Sequence, residues 1–274
     1  MIPAITSRQN ERIKWLRRFQ QRRHRDAEGR FLVEGPHLVE EALDAGWAVD
    51  LVVHSPETAG RERAAAVLER ARRHGVELLA VAGHVLPLLA ATVTPQGLVA
   101  LVRKPPARSL PDVLPEHLQR PLVAVLDGLQ DPGNLGTVIR TADAAGVDAV
   151  LLTGGTVDLY APKTVRAAAG SLFHVRVGEP AGPGECAAFL KTRGLSILAA
   201  DPRDGTPVFD CDLTGPVALV IGNEGAGVGP VLRKAADGLV RVPMLGRAES
   251  LNAAVAASLI IYEAVRQRLK APCV

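Results

Sequence analysis

From residue 121 onward, short uninterrupted apolar runs alternate with helix-like stretches. This alternation limits the fold more than any other feature of the chain. "PLVAVLDGL", "AVLLTG", "FHVRVG", "SILAAD", "PVALVIGNE" and "LVRVPM" read as strands. "NLGTVIRTADAAG", "KTVRAAAG", "GECAAFLKTRG" and "GPVLRKAADG" read as helices between them, and a closing helix starts near Ser250. Strands that are apolar along their whole length need cover on both faces, which is the condition of a parallel sheet layered with helices. A second, shorter alternation comes first. Residues 12 to 25 are predicted to form one helix, with Trp15, Leu16 and Phe19 at helical spacing. "FLVEG", "VDLVVHS", "VELLAV" and "GLVALVR" follow as strands. Between them lie the helix "PHLVEEALDAG", with Pro36 near its start and Gly46 past its end, a charged helix over 59 to 74, and a short one at "HVLPLLAAT". Both halves are therefore α/β layered units. The stretch 104–121 between them holds five prolines and no apolar period, so it is expected to be a stiff, extended connection. The expected domains are 1–103, a linker at 104–121, and 122–274.

Net charge is only +3 over 274 residues, but it is unevenly placed. Residues 1–30 hold nine basic side chains against three acids, a local charge of +6, so the rest of the chain sums to −3. Arg8, Arg12, Arg17, Arg18, Arg22 and Arg23 belong to this segment. Such a concentration suits a phosphate-binding arm and equally a solvated helix face. Cys186, Cys211 and Cys273 are far apart and form no C-x-x-C pair, which argues against a disulfide framework or a zinc site and for a reducing cytoplasm. The histidines, His24, His37, His54, His74 and His84 among them, have no metal-ligand spacing, so no metal is expected. No uncharged apolar run reaches membrane-spanning length and the start lacks an apolar signal core, so no membrane association is expected.

Three clusters sit at strand ends, where open parallel sheets bind ligands. The first is "LDGLQDPGNLGTVIRTADAAG". Taken singly, Asn134 is a helix cap and Arg140 an exposed helix arginine. The second, "LVIGNEGAGVGP", runs a strand into a loop with four glycines and one acid, Glu224. It has neither the Walker lysine pattern nor the dinucleotide fingerprint. A loop that wraps an adenosine moiety through backbone groups fits better than one cradling phosphates. The third is "GRAESLN", at the mouth of the last helix. One of Ser250 and Asn252 suffices as a cap. Glu249 and the small Ala253 and Ala254 suggest a crowded contact with something else.

In order and spacing, "NLGTVIRTA", "IGNEGAG" and "VPMLGRAESLNAAVA" resemble the SpoU (TrmH-like) RNA ribose 2′-O-methyltransferases of the SPOUT superfamily. "ITSRQNERIKWLRRF" and "GRFLVEG" are similar to the amino-terminal substrate-binding domain of its ribosomal-RNA branch. The resemblance implies an α/β fold: a carboxyl-terminal SPOUT parallel-sheet domain with a deep trefoil knot, plus a smaller L30e-like α/β domain. It implies S-adenosyl-L-methionine as cofactor, a ribosomal-RNA ribose 2′-hydroxyl as acceptor, and a homodimer in which an arginine reaches the partner's cofactor. Carried over residue by residue, the catalytic positions are Asn134, Arg140, Glu224, Ser250 and Asn252. The cofactor contacts are Gly222, Val242 and Leu251, with Leu219, Met244 and Ala200 as walls. Arg140 is expected to clamp a phosphate or stabilise alkoxide charge, since a guanidinium stays protonated. Glu224 is expected to orient Arg140 or accept a proton. The remaining readings are a transfer-RNA ribose methyltransferase, a non-catalytic RNA-binding or ribosome-assembly protein, and a nucleotide-dependent oxidoreductase. The extended first domain counts against the first, the joint presence of the five site residues against the second, and the missing fingerprint against the third.

Overall fold

The computed structural model describes residues 4–92 and 95–270; Cys273 lies outside them. The chain forms two compact units, Met1–Pro106 with Asp158–Phe173, and Ala107–Val157 with His174–Val274.

The first unit opens with α1 (Glu11–Arg17), whose N-cap Asn10 accepts the N–H of Arg12 at 2.9 Å. A 3-10 turn (Arg18–Gln20) and α2 (Arg22–Glu28) follow, and α2 ends at Gly29 with φ +61°. The single helix predicted over 12–25 is thus broken, at Gln21, which is extended at φ −94°, ψ 130°. The cause is Arg25. Its buried guanidinium takes the carbonyls of Phe19 and Gln20 at 2.8 and 2.9 Å, groups that a continuous helix would bond internally. Next come β1 (Arg30–Glu34), α3 (Pro36–Asp44), β2 (Val49–His54), α4 (Pro56–Ala59), α5 (Glu62–Arg73), β3 (Glu77–Ala80) and β4 (Leu98–Arg103). The predicted helix at "HVLPLLAAT" is a 3-10 turn of three residues, Leu86–Leu88. The sheet runs β1-β4-β2-β3 and only the β2–β3 pair is parallel. Ile13, Leu16 and Phe19 are fully buried with Leu51, Val53, Val99 and Leu101, so the basic segment is held by its apolar side. At about 1.5–3 kcal/mol of apolar transfer for each such side chain, this packing outweighs the cost of crowding arginines on the other side.

The second unit begins with α6 (Leu110–Val113), inside the stretch expected to be a linker. Val113 and Leu114 are fully buried in this unit's core. The stretch is therefore anchored rather than a free extended connection. β5 (Leu122–Asp127), α7 (Pro132–Ala144) and β6 (Ala149–Leu152) follow. α8 (Pro162–Ala167) packs within the first unit, as does all of Asp158–Phe173. There Asp158 pairs with buried Arg25, and Tyr160 lies 4.8 Å from Phe31 between ring centroids. Phe173 lies 5.1 Å from Trp47, whose indole N–H donates to the Phe173 carbonyl at 3.1 Å. The chain then supplies β7 (Val177–Gly178), α9 (Pro183–Thr192), β8 (Ser196–Ala200), β9 (Thr206–Pro207), β10 (Val217–Gly222), α10 (Pro230–Ala235), β11 (Gly238–Arg241) and α11 (Ala253–Lys270).

All seven strands of the second sheet are parallel, in the order β7-β6-β5-β10-β8-β11-β9. β5, β6 and β10 are buried at every residue, as their continuous apolar runs require. The strand expected at "FHVRVG" shortens to two residues, and β9, a two-residue edge strand, has no apolar run to announce it. Strand order reverses around β5 and β10, with β10 entering between β5 and β8. That reversal sets a crevice beyond the carboxyl ends of the strands. Among the described residues no helix is long and apolar enough to cross a membrane.

Candidate active site

The site is built from the segments that leave the carboxyl ends of β5, β8, β10 and β11. After β5 the chain turns into α7, and the N-cap is Asp131, whose side chain accepts the Asn134 N–H at 2.9 Å. Asn134 is therefore not the cap. It is buried one turn inside the helix with its amide free for other work. Its Nδ2 donates to Glu224 Oε1 at 2.9 Å, and its Oδ1 accepts from Asn252 Nδ2 at 2.9 Å. Asn252 at the same time caps α11, its Oδ1 accepting the N–H groups of Ala254 and Val255. One residue from each of the three sequence clusters thus joins a single hydrogen-bonded chain. The Asn134 amide orientation is fixed by it, because an acid at one end must receive the N–H side.

Glu224 also accepts the backbone N–H groups of Gln130 and Asp131, at 3.0 and 3.1 Å. Partial burial pushes its carboxyl up. The Asn134 amide and the two backbone N–H groups more than offset this and hold it below the ordinary glutamate range. The loop that carries it is a tight reversal. Asn223 and Gly227 exchange both backbone hydrogen bonds, and Asn223 Oδ1 gathers the N–H groups of Gly225 and Ala226 at 2.9 Å each. Gly222 must be glycine here, since a Cβ would sit 2.1 Å from backbone atoms of Gly227 and Val228. At the end of β8, Asp201 is held near pKa 2 by the Asp204 N–H and, against burial, by the Arg233 guanidinium and the Arg203 N–H.

These loops enclose a cavity of about 480 Å³. Ile221, Val242, Met244, Leu251 and Ile260 give it apolar walls, and Asp201, Glu224, Ser250 and Asn252 lie on its polar side. Pockets of roughly 300–1,000 Å³ with this mixture take drug-sized organic molecules. Of the predicted cofactor positions, Gly222, Val242, Leu251, Met244 and Ala200 line it. Leu219 does not; it is buried within β10, below the strand's end. Of the predicted catalytic positions, Asn134, Glu224, Asn252 and Ser250 come together here. Arg140 does not. It is exposed on α7, six residues or about 9 Å along the helix from Asn134, and no described residue bonds it. Glu224 does not orient it within one chain, because the Glu224 oxygens face Asn134 and the backbone instead. Asn223, beside Glu224 in the second motif, also lines the cavity, whereas Asp201 and Arg203 are cavity residues that the sequence motifs did not single out. Only the position of Asp201 at a strand end could have signalled them.

In the first unit, Arg8, Arg17, Arg18 and Arg23 are exposed and free of ion pairs among the described residues. Arg12 is paired with Glu77, and Arg22 with Asp26 at 3.5 Å. No group of His, Cys, Asp and Glu among the described residues is arranged to hold a metal ion.

The fold is that of the SpoU methyltransferases. Residues 121–262 match the SpoU rRNA Methylase family, and the chain is a member of it. Residues 10–100 match the MRM3-like substrate binding domain. Among its relatives is the 23S rRNA (guanosine(2553)-2′-O)-methyltransferase RlmP of Bacillus subtilis, 36% identical over 95% of this chain and 98% of that one. The 23S rRNA (uridine(2479)-2′-O)-methyltransferase of Streptomyces viridochromogenes is also 36% identical, over 97% of this chain and 92% of its own length. The crystal structure of the SpoU methyltransferase AviRb from Streptomyces viridochromogenes, in complex with the cofactor AdoMet, superposes with a TM-score of 0.87. It is 35% identical and covers 96% of this chain and 99% of its own.

Proposed function

We propose that this chain transfers a methyl group from S-adenosylmethionine to a ribose 2′-hydroxyl of ribosomal RNA. The Asn252–Asn134–Glu224 chain beside a nucleoside-sized cavity carries the reading, in a family whose named relatives act on 23S rRNA. The residues present fit the cofactor. Apolar walls suit a flat adenine, and the polar side suits a ribose and an amino-acid tail. Gly222, Val242 and Leu251 would hold it, with Ala200 and Met244 as walls. When bound, it supplies a methyl already activated on a sulfonium sulfur.

The protein's own task is then positioning and charge. Glu224 is a poor base, since its carboxylate is stabilised by three N–H donors; it fixes Asn134, and through it Asn252. Ser250, exposed on the cavity rim without a capping task, is placed to order the acceptor ribose. Arg140 is exposed and lines no part of its own chain's cavity, which supports delivery to a second subunit's site. There it would hold a phosphate or the developing alkoxide. The occupant we infer for the exposed face of α11, where Val255, Leu259 and Tyr262 fall on one stripe, is a second copy of this chain. We also infer the deep trefoil knot, supported by the match to the SpoU family. Residues 1–103 would grip RNA and 122–274 carry the chemistry, joined through 104–121, in the cytoplasm where ribosomal RNA lies.

The test is to incubate the protein with methyl-labelled S-adenosylmethionine and ribosomal or transfer RNA, then recover alkali-resistant dinucleotides. Label in ribosomal RNA is expected. Label in transfer RNA alone would replace the substrate, and no label in either would leave an RNA-binding protein.

A further inference from the structure

Asp127 closes β5 and stands in register beside Gly222 of β10, yet it has no part in the scheme above. It is buried, and no basic side chain pairs with it among the described residues. A carboxylate in that position is costly unless hydrogen bonds compensate it. Two bonds do so. Oδ2 accepts the Gly229 N–H at 2.7 Å, and Oδ1 accepts the Thr153 hydroxyl.

Gly229 is where the glycine loop that began at Gly222 comes back down and enters α10. A Cβ on Gly229 would stand 2.9 Å from Oδ2, so the close approach depends on glycine. The rest of the loop is tied to the segment just beyond Asp127. Asn223 Nδ2 donates to the Gly128 carbonyl at 2.9 Å, and Glu224 accepts from Gln130 and Asp131. One leg of the loop therefore rests on residues 128–131 and the other on Asp127. Gly222 just before these ties, Asn223 and Glu224 at them, and Gly225 and Gly227 between them all line the cavity.

We propose that Asp127 is a positioning residue for the cofactor cavity, acting through its two hydrogen bonds rather than through its charge. The proposal rests on the methyl-transfer reading only for the ligand used to probe it. An asparagine can replace both bonds. Its Oδ1 takes the Gly229 N–H, and its Nδ2 donates to the Thr153 hydroxyl, which turns from donor to acceptor. Alanine replaces neither.

The experiment compares full-length wild type, Asp127→Asn, Asp127→Ala and Gly229→Ala by amide hydrogen exchange without cofactor, and then by calorimetry with S-adenosylmethionine. In Asp127→Asn the amide at 229 stays as protected as in wild type and the affinity holds within about twofold. In Asp127→Ala and Gly229→Ala that amide exchanges at least roughly tenfold faster and the dissociation constant rises by a similar factor. An Asp127→Ala protein with a slow amide at 229, or an Asp127→Asn protein as impaired as Asp127→Ala, overturns the proposal. Should Asp127→Ala not fold, Gly229→Ala decides, because it keeps the carboxylate while its Cβ, 2.9 Å from Oδ2, makes the loop and the carboxylate give way to each other; unchanged exchange there is also fatal. Wild type that shows the exchange pattern but binds no cofactor sinks the methyl-transfer reading and leaves the positioning role standing.

Discussion

Asn134 shows how far a residue can be read from its letter. From sequence it is a cap candidate, and the structure gives that task to Asp131, three positions earlier. What remains for Asn134 is a buried amide bonded at both ends, and that is a stronger functional signal than a cap. Replacing it by alanine removes two hydrogen bonds, to the exposed Glu224 and Asn252, each worth about 0.5–1.5 kcal/mol, so about 1–3 kcal/mol together and roughly a 5- to 150-fold loss of methyl transfer. Single-turnover assays would measure it, and a loss below threefold would deny the chain its role. Glu224 makes a pH prediction. Its folded pKa lies below the unfolded one, so its bonds stabilise the site above the ordinary carboxylate range. That stabilisation is lost as pH falls through the lowered value. The transfer rate should therefore show no inflection from Glu224 above about pH 5. A Glu224→Gln variant should keep the shape of the wild-type profile at lower height; a neutral-range limb that vanishes in this variant would make Glu224 a base. Cys186 gives a third test. Burial, then the charges of Asp127 and Glu185, push its thiol up to about 12. It should resist alkylation at pH 8 until the chain unfolds, as mass spectrometry of its peptide would show.

At the scale of elements, legibility followed burial. The runs that became β5, β6 and β10 were plain because every residue in them is covered and all but the closing Asp127 of β5 are apolar. β9 was not, because an edge pairing of two residues leaves no pattern, and β7 was read in the right place but too long for the same reason. The break at Gln21 was invisible for another reason: it depends on where the Arg25 side chain goes, which helical periodicity does not record. The glycine loop was recognised by composition, but which glycine is indispensable came only from the backbone approach at Gly222. Gly222→Ala should cost about 3 kcal/mol, near the top of the overpacking range, because the opposing atoms are backbone and cannot swing aside. Thermal melts and cofactor titration would register it, and a variant of native stability would mean the loop is softer than drawn. α11 and α7 carry the subunit prediction. If Arg140 serves the partner's site, Arg140→Ala and Asn134→Ala dimers are each impaired at both of their sites. Mixing and refolding the two should recover about a quarter of wild-type activity, through the one intact site in half of the dimers. No recovery would confine each arginine to its own chain.

The whole molecule differs most from its sequence at residues 158–173, which lie inside the methylase match yet fold with the first unit. No composition change marks this. It follows from Asp158 meeting a buried guanidinium and from Tyr160 and Phe173 meeting Phe31 and Trp47. An RNA grip on that unit would be electrostatic, and the structure divides its arginines into two groups. Arg8, Arg17, Arg18 and Arg23 are exposed with no acid holding them among the described residues, whereas Glu77 and Asp26 already partner Arg12 and Arg22. A free guanidinium that meets a phosphate releases a counterion, and each such contact adds about 0.7–0.9 to the slope of log affinity against log salt. A guanidinium already neutralised by an acid must first give up that partner and adds less. Single alanine variants of the four free arginines should therefore each flatten the salt dependence of RNA binding by nearly one contact. Arg12→Ala and Arg22→Ala should flatten it by clearly less, and all six should leave S-adenosylmethionine affinity unchanged. Filter binding across a salt series gives the slopes. Equal slopes for the two groups would mean that RNA recognises the segment as a diffuse positive field, and that the pairing seen in the structure does not select its contacts.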